Sequence, residues 1–208
     1  MKNIISKALE QLIGALEEIE EQYKVKYYLV GGILVNIYSV FRITQDIDFV
    51  VDIQSQRINV NQYISMLKNY NFIPMQDWQQ AEFLAQNNNI LQYFDQNERV
   101  KFDNYIVDRL SQSKYNKLGP IGLKRRIREK LFGIECWVTS KEDFIISKLT
   151  FGGWQDFSDA LGCWMRFAEM LDLNYMKMIS KQLQIENEFI LLKSGIEDPD
   201  EFFKTFSH

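Results

Sequence analysis

The chain contains few of the residues on which several classes of protein depend. Its one histidine is His208, the last of 208 residues, and its two cysteines are Cys136 and Cys163. Mechanisms that need an internal histidine are therefore excluded, and two cysteines are too few for a disulfide framework or a cysteine-based metal cluster. With three prolines, 46% hydrophobic residues and 25% charged residues, the composition is otherwise ordinary for a soluble globular protein.

Long apolar runs are also missing. No segment approaches the length of a membrane span, and the first 23 residues lack the uninterrupted apolar stretch and the cleavage site of a signal peptide. We therefore expect a cytoplasmic protein that does not bind membranes. The net charge of −4 argues against bulk electrostatic binding to a polyanion, so any polyanion would have to meet a local basic patch.

Hydrophobic periodicity divides the chain into three segments. Residues 1–24 hold an amphipathic helix that we expect to pack on the core, 25–139 are rich in strands, and 140–208 are helical. We predict an α+β fold, with a mixed sheet, flanking helices and a helical C-terminal part. The predicted strands are 26–30, 46–52, 89–94 and 100–107 with a hairpin at 127–138, the predicted helices are 3–23, 32–40, 58–70, 140–151, 156–171, 174–183 and 186–194, and a turn is predicted at 86–89.

A glycine pair interrupts the apolar stretch that begins at Tyr27. The first predicted strand stops at Gly31-Gly32, and a helical pattern follows at once. Backbone N–H groups at such a junction face outward with partial positive charge, and glycine lets a phosphate approach them closely. Neither the P-loop pattern nor the dinucleotide fingerprint is present. A simple tight turn is the alternative interpretation.

Two aspartates lie two positions apart in the next predicted strand. Asp46 and Asp48 therefore point to the same face of the sheet. Two carboxylates about 4 Å apart repel each other by roughly 4 kcal/mol at an effective dielectric constant near 20. A divalent ion such as Mg²⁺ would compensate this repulsion and keep coordination positions for a substrate phosphate. The alternative is that both side chains lie in solvent at the end of a strand.

Together, these features resemble the nucleotidyltransferase superfamily, whose fold is that of the DNA polymerase beta palm. The stretch "GGILVNIYSVFRITQDIDFVV" is similar to the bacterial branch of AbiEii-type toxins and minimal nucleotidyltransferases, with its pattern GG-x-A followed by R-x-T-x-D-I-D. The family often has histidine-glycine where this chain has Tyr38-Ser39, and AbiEii toxins are typically longer. The matching residues are Gly31, Gly32, Arg42, Thr44, Asp46 and Asp48.

The resemblance extends over nearly all of the chain after the first helix. "VKFDNYIV" is similar to the strand that carries the family's third carboxylate, "CWVTSKEDFIISKL" to its strand and helix with Lys148, and "DFSDALG" to its next helix with Asp159. Asp103 and Asp108 both lie near the third-carboxylate position, on opposite faces of a regular strand. Asp103 is preferred because it lies in the middle of the apolar run.

What the resemblance implies is transfer of a nucleoside monophosphate from an NTP to an acceptor hydroxyl, with Mg²⁺ or Mn²⁺ as cofactor. Asp46, Asp48 and Asp103 would be the metal ligands and catalytic residues. The residues implied to bind phosphate or nucleotide are Gly31, Gly32, Arg42, Thr44 and Lys148. The alternative interpretation of Arg42 is a structural ion pair with a site carboxylate. The alternative interpretation of Lys148 is an ordinary surface lysine.

The acceptor and the biological setting are predicted from weaker signals. Seven of the 17 residues from Lys114 to Lys130 are basic, which favours an RNA 3′ end as acceptor, with a protein hydroxyl next. The family also implies a partner protein within a toxin–antitoxin or defence system. A catalytically silent, antitoxin-like binding module of the same fold is the rival function.

Overall fold

Seven strands form one mixed sheet in the computed structural model, which describes residues 4–206. Their order across the sheet is β3-β4-β5-β2-β1-β7-β6, and only the pairs β2–β5 and β1–β7 are parallel. The strands are β1 (Lys26–Val30), β2 (Asp46–Asp52), β3 (Ile73–Pro74), β4 (Ile90–Phe94), β5 (Lys101–Ile106), β6 (Ile127–Leu131) and β7 (Ile134–Val138).

Helices precede, connect and follow these strands. The predicted α+β class is therefore confirmed, as are the bounds predicted for β1 and β2. Short 3₁₀ segments at Gly31–Leu34, Gln54–Gln56 and Ala168–Met170 complete the regular structure. The helices are α1 (Ile4–Tyr23), α2 (Val35–Tyr38), α3 (Val60–Lys68), α4 (Trp78–Asn88), α5 (Lys114–Arg125), α6 (Lys141–Phe151), α7 (Trp154–Phe167), α8 (Leu173–Leu183), α9 (Glu186–Lys193) and α10 (Pro199–Phe206).

Three helices, α4, α5 and α10, were not predicted from the sequence. The turn predicted at 86–89 is wrong for its first three residues, which continue α4, and only Asn89 leaves the helix in a left-handed conformation. The side chain of Asp77 caps the start of α4 by accepting from the N–H of Gln80. The sequence did not predict α5, because it contains Pro120 and two nearby glycines, and these residues disfavour helices in isolation.

The two faces of the sheet have different roles. Tyr27, Phe49 and Phe102 alternate onto the face covered by the main hydrophobic core. The opposite face carries Asp46 and Asp48 and, next on that face of β2, Val50, which belongs to a small apolar cluster. That cluster consists of Tyr28, Val50, Val107 and Leu123.

Helix α5 lies against this second face at very close range. A Cβ atom placed on Gly122 would overlap the ring of Tyr28, and one on Gly119 would lie 2.9 Å from Cγ2 of Val107. The glycines of α5 thus allow the helix backbone to touch the sheet, which explains why a sequence with poor helix propensity forms a helix here. None of the helices between residues 4 and 206 combines the length and apolarity needed to cross a bilayer.

Replacement of Gly122 tests this close approach. Gly122→Ala should lower the free energy of unfolding by about 1–3 kcal/mol, the usual cost of overpacking, because the buried Tyr28 ring must move. Gly14→Ala is the matched control, since Gly14 lies on α1 with nothing within 4 Å of a Cβ atom. That variant should be stabilised by about 0.5–1 kcal/mol. Urea denaturation measures both, and equal effects of the two substitutions would contradict the packing described.

Candidate active site

Three predicted site carboxylates meet on one face of the sheet. The parallel register of β2 and β5 pairs Asp48 with Asp103 and Asp46 with Lys101. Because β2 and β5 alternate in phase, all four side chains lie on the face opposite the main core. The side chain of Asp103 is 10% exposed, whereas that of Asp46 is 40% exposed. Asp46, Asp48 and Asp103 form an acidic centre, which is therefore open to solvent at Asp46 and buried at Asp103.

The alternative third carboxylate, Asp108, lies elsewhere. It follows the end of β5, roughly 17 Å along the chain from Asp103 at about 3.3 Å per residue. Its side chain accepts from the N–H of Leu110 at 2.9 Å, which closes a local turn. The structure thus brings Asp103, and not Asp108, beside the aspartate pair.

The glycine pair stands directly against the acidic centre. Gly31 has a φ of +72°, and a Cβ atom at this position would overlap the carboxylate of Asp48. A Cβ on Gly32 would lie 3.1 Å from Nη2 of Arg42 and 3.2 Å from Oγ1 of Thr44. Gly31 is therefore required by its contact with Asp48, beyond the needs of a tight turn, and at Gly32 a larger residue would press on Arg42 and Thr44.

Thr44 and Arg42 occupy the loop that leads into β2. The hydroxyl of Thr44 donates to Oδ1 of Asp46 at 3.0 Å, so it orients a carboxylate of the pair. The guanidinium of Arg42 makes two bonds to Asp159, at 3.2 Å from Nε and 3.0 Å from Nη2. This ion pair raises the pKa of Arg42. Arg42 is thus held by a carboxylate of α7 with its outer edge against Gly32.

Lys148 is buried rather than on the surface. Its ammonium lies 2.8 Å from Oδ2 of Asp159 and 2.8 Å from Oδ1 of Asp156, and its side chain is 8% exposed. Burial alone would raise the pKa of Asp159, but the bonds and charges of Arg42 and Lys148 hold it below its ordinary value. The result is a four-membered ionic network that joins the loop before β2 to α6 and α7.

Two residues that sequence reasoning missed hold Asp103. Lys101 Nζ lies 2.8 Å from Oδ2 of Asp103 and 3.9 Å from Oδ2 of Asp46. Gln92, on the other neighbouring strand, donates to Oδ1 of Asp103 at 2.8 Å. The hydrogen bond to Asp103 raises the pKa of Lys101. The signal for Lys101 was available, because a residue two positions before Asp103 on a strand shares its face.

Asp48 is the carboxylate that most needs a cation. Burial, followed by repulsion from Asp46 and Asp103, raises its pKa to about 7, although Lys148 and Lys101 partly offset the rise. The pair Asp46 and Asp48, beside the turn at Gly31, fits one Mg²⁺, which commonly takes one or two carboxylates plus substrate phosphate. Within residues 4–206, no three acidic, histidine or cysteine side chains are gathered as a metal-ligand cluster.

A cavity of about 420 Å³ extends from the acidic centre along the sheet. Its floor includes Tyr28 and Tyr105, and α5 and α6 form its walls. At its rim, Tyr115 and Phe151 stack with ring centroids 5.1 Å apart. This volume lies within the range of roughly 300–1,000 Å³ that is typical of small-molecule sites.

The basic strip, residues Lys114 to Lys130, makes many of its contacts with carboxylates and rings of the protein itself. Arg126 binds Glu20 through both terminal nitrogens and stacks on Trp137, and Arg128 pairs with Glu17. Four of the strip's seven basic residues are in ion pairs, namely Arg125, Arg126, Arg128 and Lys130. The segment thus spans all of α5 and most of β6, and much of its charge is neutralised.

Comparison with known proteins identifies the fold. A nucleotidyltransferase-like protein from Paracoccidioides brasiliensis, described as antigenic, is similar over 96% of this chain and 93% of its own, with a TM-score of 0.59 and 16% identity. The antibiotic-resistance factor ANT(2'')-Ia matches 90% of this chain and 96% of its own, with a TM-score of 0.51 and 10% identity. The predicted nucleotidyltransferase fold is confirmed by these structures.

A third structure, the lincosamide antibiotic adenylyltransferase LnuA with lincomycin bound, covers 66% of this chain and 83% of its own at 18% identity. Its TM-score of 0.40 is too low to compare the two architectures. No family model matches the sequence, and no curated protein does. At these identities the comparisons establish the fold, and the roles of individual residues rest on the geometry described above.

The raised pKa of Asp48 predicts a pH dependence of stability. An aspartate in an unfolded chain titrates near 3.9, so from about pH 4 to 7 the folded state retains a proton that the unfolded state has lost. The unfolding free energy contributed by Asp48 therefore falls as the pH rises through this window. In metal-free buffer, the gain in stability of Asp48→Asn over wild type should grow between pH 4 and pH 7 to about 1–3 kcal/mol, allowing for partial solvent screening.

Chemical denaturation at a series of pH values measures this difference. Asp46→Asn is the companion variant, because removing one neighbouring charge should move the Asp48 titration to lower pH. A stability difference between Asp48→Asn and wild type that is the same at every pH would contradict the burial of this carboxylate among like charges.

Proposed function

We propose that the protein transfers a nucleoside monophosphate from an NTP to an acceptor hydroxyl and requires Mg²⁺ or Mn²⁺. The observation that carries the proposal is one juxtaposition. Asp46 and Asp48 lie beside Asp103 on one sheet face, and the backbone of Gly31 touches the carboxylate of Asp48. The nucleotidyltransferase fold of the chain supports the same reaction class.

Each element of the centre has a role in this reaction. The pair Asp46 and Asp48 holds the ion, with Asp46 oriented by Thr44. When bound, the ion supplies Lewis-acid stabilisation of charge on the phosphate oxygens. The N–H groups at Gly31 and Gly32 receive the triphosphate. The edge of Arg42 that faces Gly32 binds a phosphate oxygen, while Asp159 fixes its orientation.

The chemical step is an in-line displacement at the α-phosphorus. The acceptor oxygen forms a bond to this phosphorus, and the bond between the α-phosphorus and the bridging oxygen of pyrophosphate breaks. Asp103 takes the proton of the acceptor hydroxyl, and pyrophosphate leaves with the electron pair of the broken bond. Gln92 keeps Asp103 in position by its hydrogen bond to Oδ1.

For the acceptor, we propose a small hydroxyl-bearing molecule that enters the cavity between α5 and α6. The size of the cavity and its aromatic rim support this class of acceptor. An RNA 3′ end is favoured less than the sequence alone indicated, because the arginines predicted to steer it are paired with carboxylates. A role in a toxin–antitoxin system, with a partner protein, stays a prediction from the family resemblance.

The direct test follows radiolabel from each of four α-labelled NTPs in the presence of Mg²⁺. Three acceptor fractions are supplied separately: a small-molecule cell extract, total RNA and total protein. We expect label in the small-molecule fraction, and loss of at least about 10³-fold in rate for Asp48→Asn, because removal of the ion ligand removes transition-state stabilisation worth about 4 kcal/mol. Asp108→Asn is the matched control and should transfer at the wild-type rate.

The other outcomes are equally informative. Label in RNA, lost at raised salt in a Lys124→Glu variant, would replace the small-molecule acceptor by RNA. Wild-type protein that binds NTP but labels none of the three fractions would favour the silent binding module. Equal transfer by wild type and Asp48→Asn would place the reaction elsewhere on the molecule.

Arg42 provides a separate test of the phosphate site. Arg42→Ala should weaken NTP binding by about 1.5–3 kcal/mol, the scale of a hydrogen bond to a charged group. The exposed Arg99→Ala is the control and should leave affinity unchanged. Calorimetry with a non-hydrolysable NTP analogue measures both. Unchanged affinity in Arg42→Ala, with reduced stability, would assign Arg42 to the ion pair with Asp159 alone.

A further inference from the structure

The ammonium of Lys101 lies in the acidic centre, at a position where a bound metal ion would also contact Asp46 and Asp103. Its ammonium lies between two carboxylates, 2.8 Å from Oδ2 of Asp103 and 3.9 Å from Oδ2 of Asp46. This placement follows from the backbone. Lys101 is the register partner of Asp46 across the parallel ladder, and it lies two residues before Asp103 on the same strand face.

Both oxygens of Asp103 are engaged by the protein's own donors. Lys101 binds Oδ2, and Gln92, which is the register partner of Asp103 on β4, donates to Oδ1 at 2.8 Å. A divalent ion shared between Asp103 and the pair would compete with the Lys101 ammonium for the space between Oδ2 of Asp103 and Oδ2 of Asp46. The pair itself is differently placed. Thr44 binds only Oδ1 of Asp46, and both Asp46 and Asp48 line the cavity, where Asp48 also contacts the backbone of Gly31.

The charges lead to the same conclusion. Three carboxylates and one ammonium leave two negative charges in the centre, which a single divalent ion neutralises. A second divalent ion beside the ammonium would meet strong repulsion at these distances.

We propose that Lys101 replaces a second metal ion, so that the centre binds one divalent ion, at Asp46 and Asp48, and keeps Asp103 paired with an ammonium. This inference rests on the proposed nucleotidyl transfer. It makes Lys101 a positioning residue that holds the carboxylate of Asp103 and supplies a positive charge beside Asp46.

The test counts bound ions directly, without nucleotide or turnover. Mn²⁺ is titrated into metal-free protein, and free Mn²⁺ is followed by electron paramagnetic resonance. We expect one bound ion per chain for wild type and for Lys101→Arg, and two for Lys101→Met, in which Asp103 is released. Lys26→Met, which removes an exposed lysine of β1, is the matched control and should bind one ion.

Thermal melting measures the effect of Lys101→Met on the stability of the fold. In chelator, Lys101→Met should melt below wild type, because three neighbouring carboxylates are left without the ammonium, and Mn²⁺ should raise its melting temperature by more than it raises that of wild type. Two ions bound to wild type, or one ion bound to a folded Lys101→Met variant, would overturn the proposal.

Failure of the proposed function gives a different result in the same titration. If Asp48→Asn binds Mn²⁺ as wild type does, the aspartate pair is not the ion site and the proposed reaction loses its cofactor. If Asp48→Asn loses the ion while Lys101→Met still binds one, only the role assigned to Lys101 is wrong.

Discussion

The parallel pairing of β2 with β5 is the interaction on which the rest of the site depends. Its register places Asp48 beside Asp103 and Asp46 beside Lys101, on the one sheet face that the main core does not cover. Neither strand carries the full set of groups. A shift of one residue in this register would move a carboxylate to the opposite face and into the apolar core.

Such a concentration of acid is costly, and the fold compensates it with cations from distant parts of the chain. Lys101 does so within the sheet. Lys148 and Arg42 do so at the edge of the site, where they share Asp159. Because Lys148 is almost fully buried, it depends on the carboxylates of Asp156 and Asp159, and loss of both would leave an uncompensated charge in the interior. Burial, together with repulsion from Asp46 and Asp103, keeps the pKa of Asp48 raised despite Lys148 and Lys101.

Helix α5 determines what else can reach the acidic centre. Its glycines bring it onto Tyr28 and Val107, and in doing so they create a wall of the cavity. The same helix ends in the basic segment that the sequence suggested as a track for RNA. Arg125 and Arg126 of this segment contact acidic residues of α6 and α1, so part of its charge is used within the protein.

The sequence by itself determined the local features of this protein. Short apolar runs defined β1 and β2, the glycine pair marked the junction after β1, and the spacing of Asp46 and Asp48 assigned them to one face. The tertiary structure decided whatever depends on which distant segments meet. It separated Asp103 from Asp108, paired Arg42 with Asp159 across 117 positions, and revealed Lys101 beside Asp46. The physical reason is that periodicity reports the environment of a single element, whereas strand register and helix docking are set by packing over the whole chain.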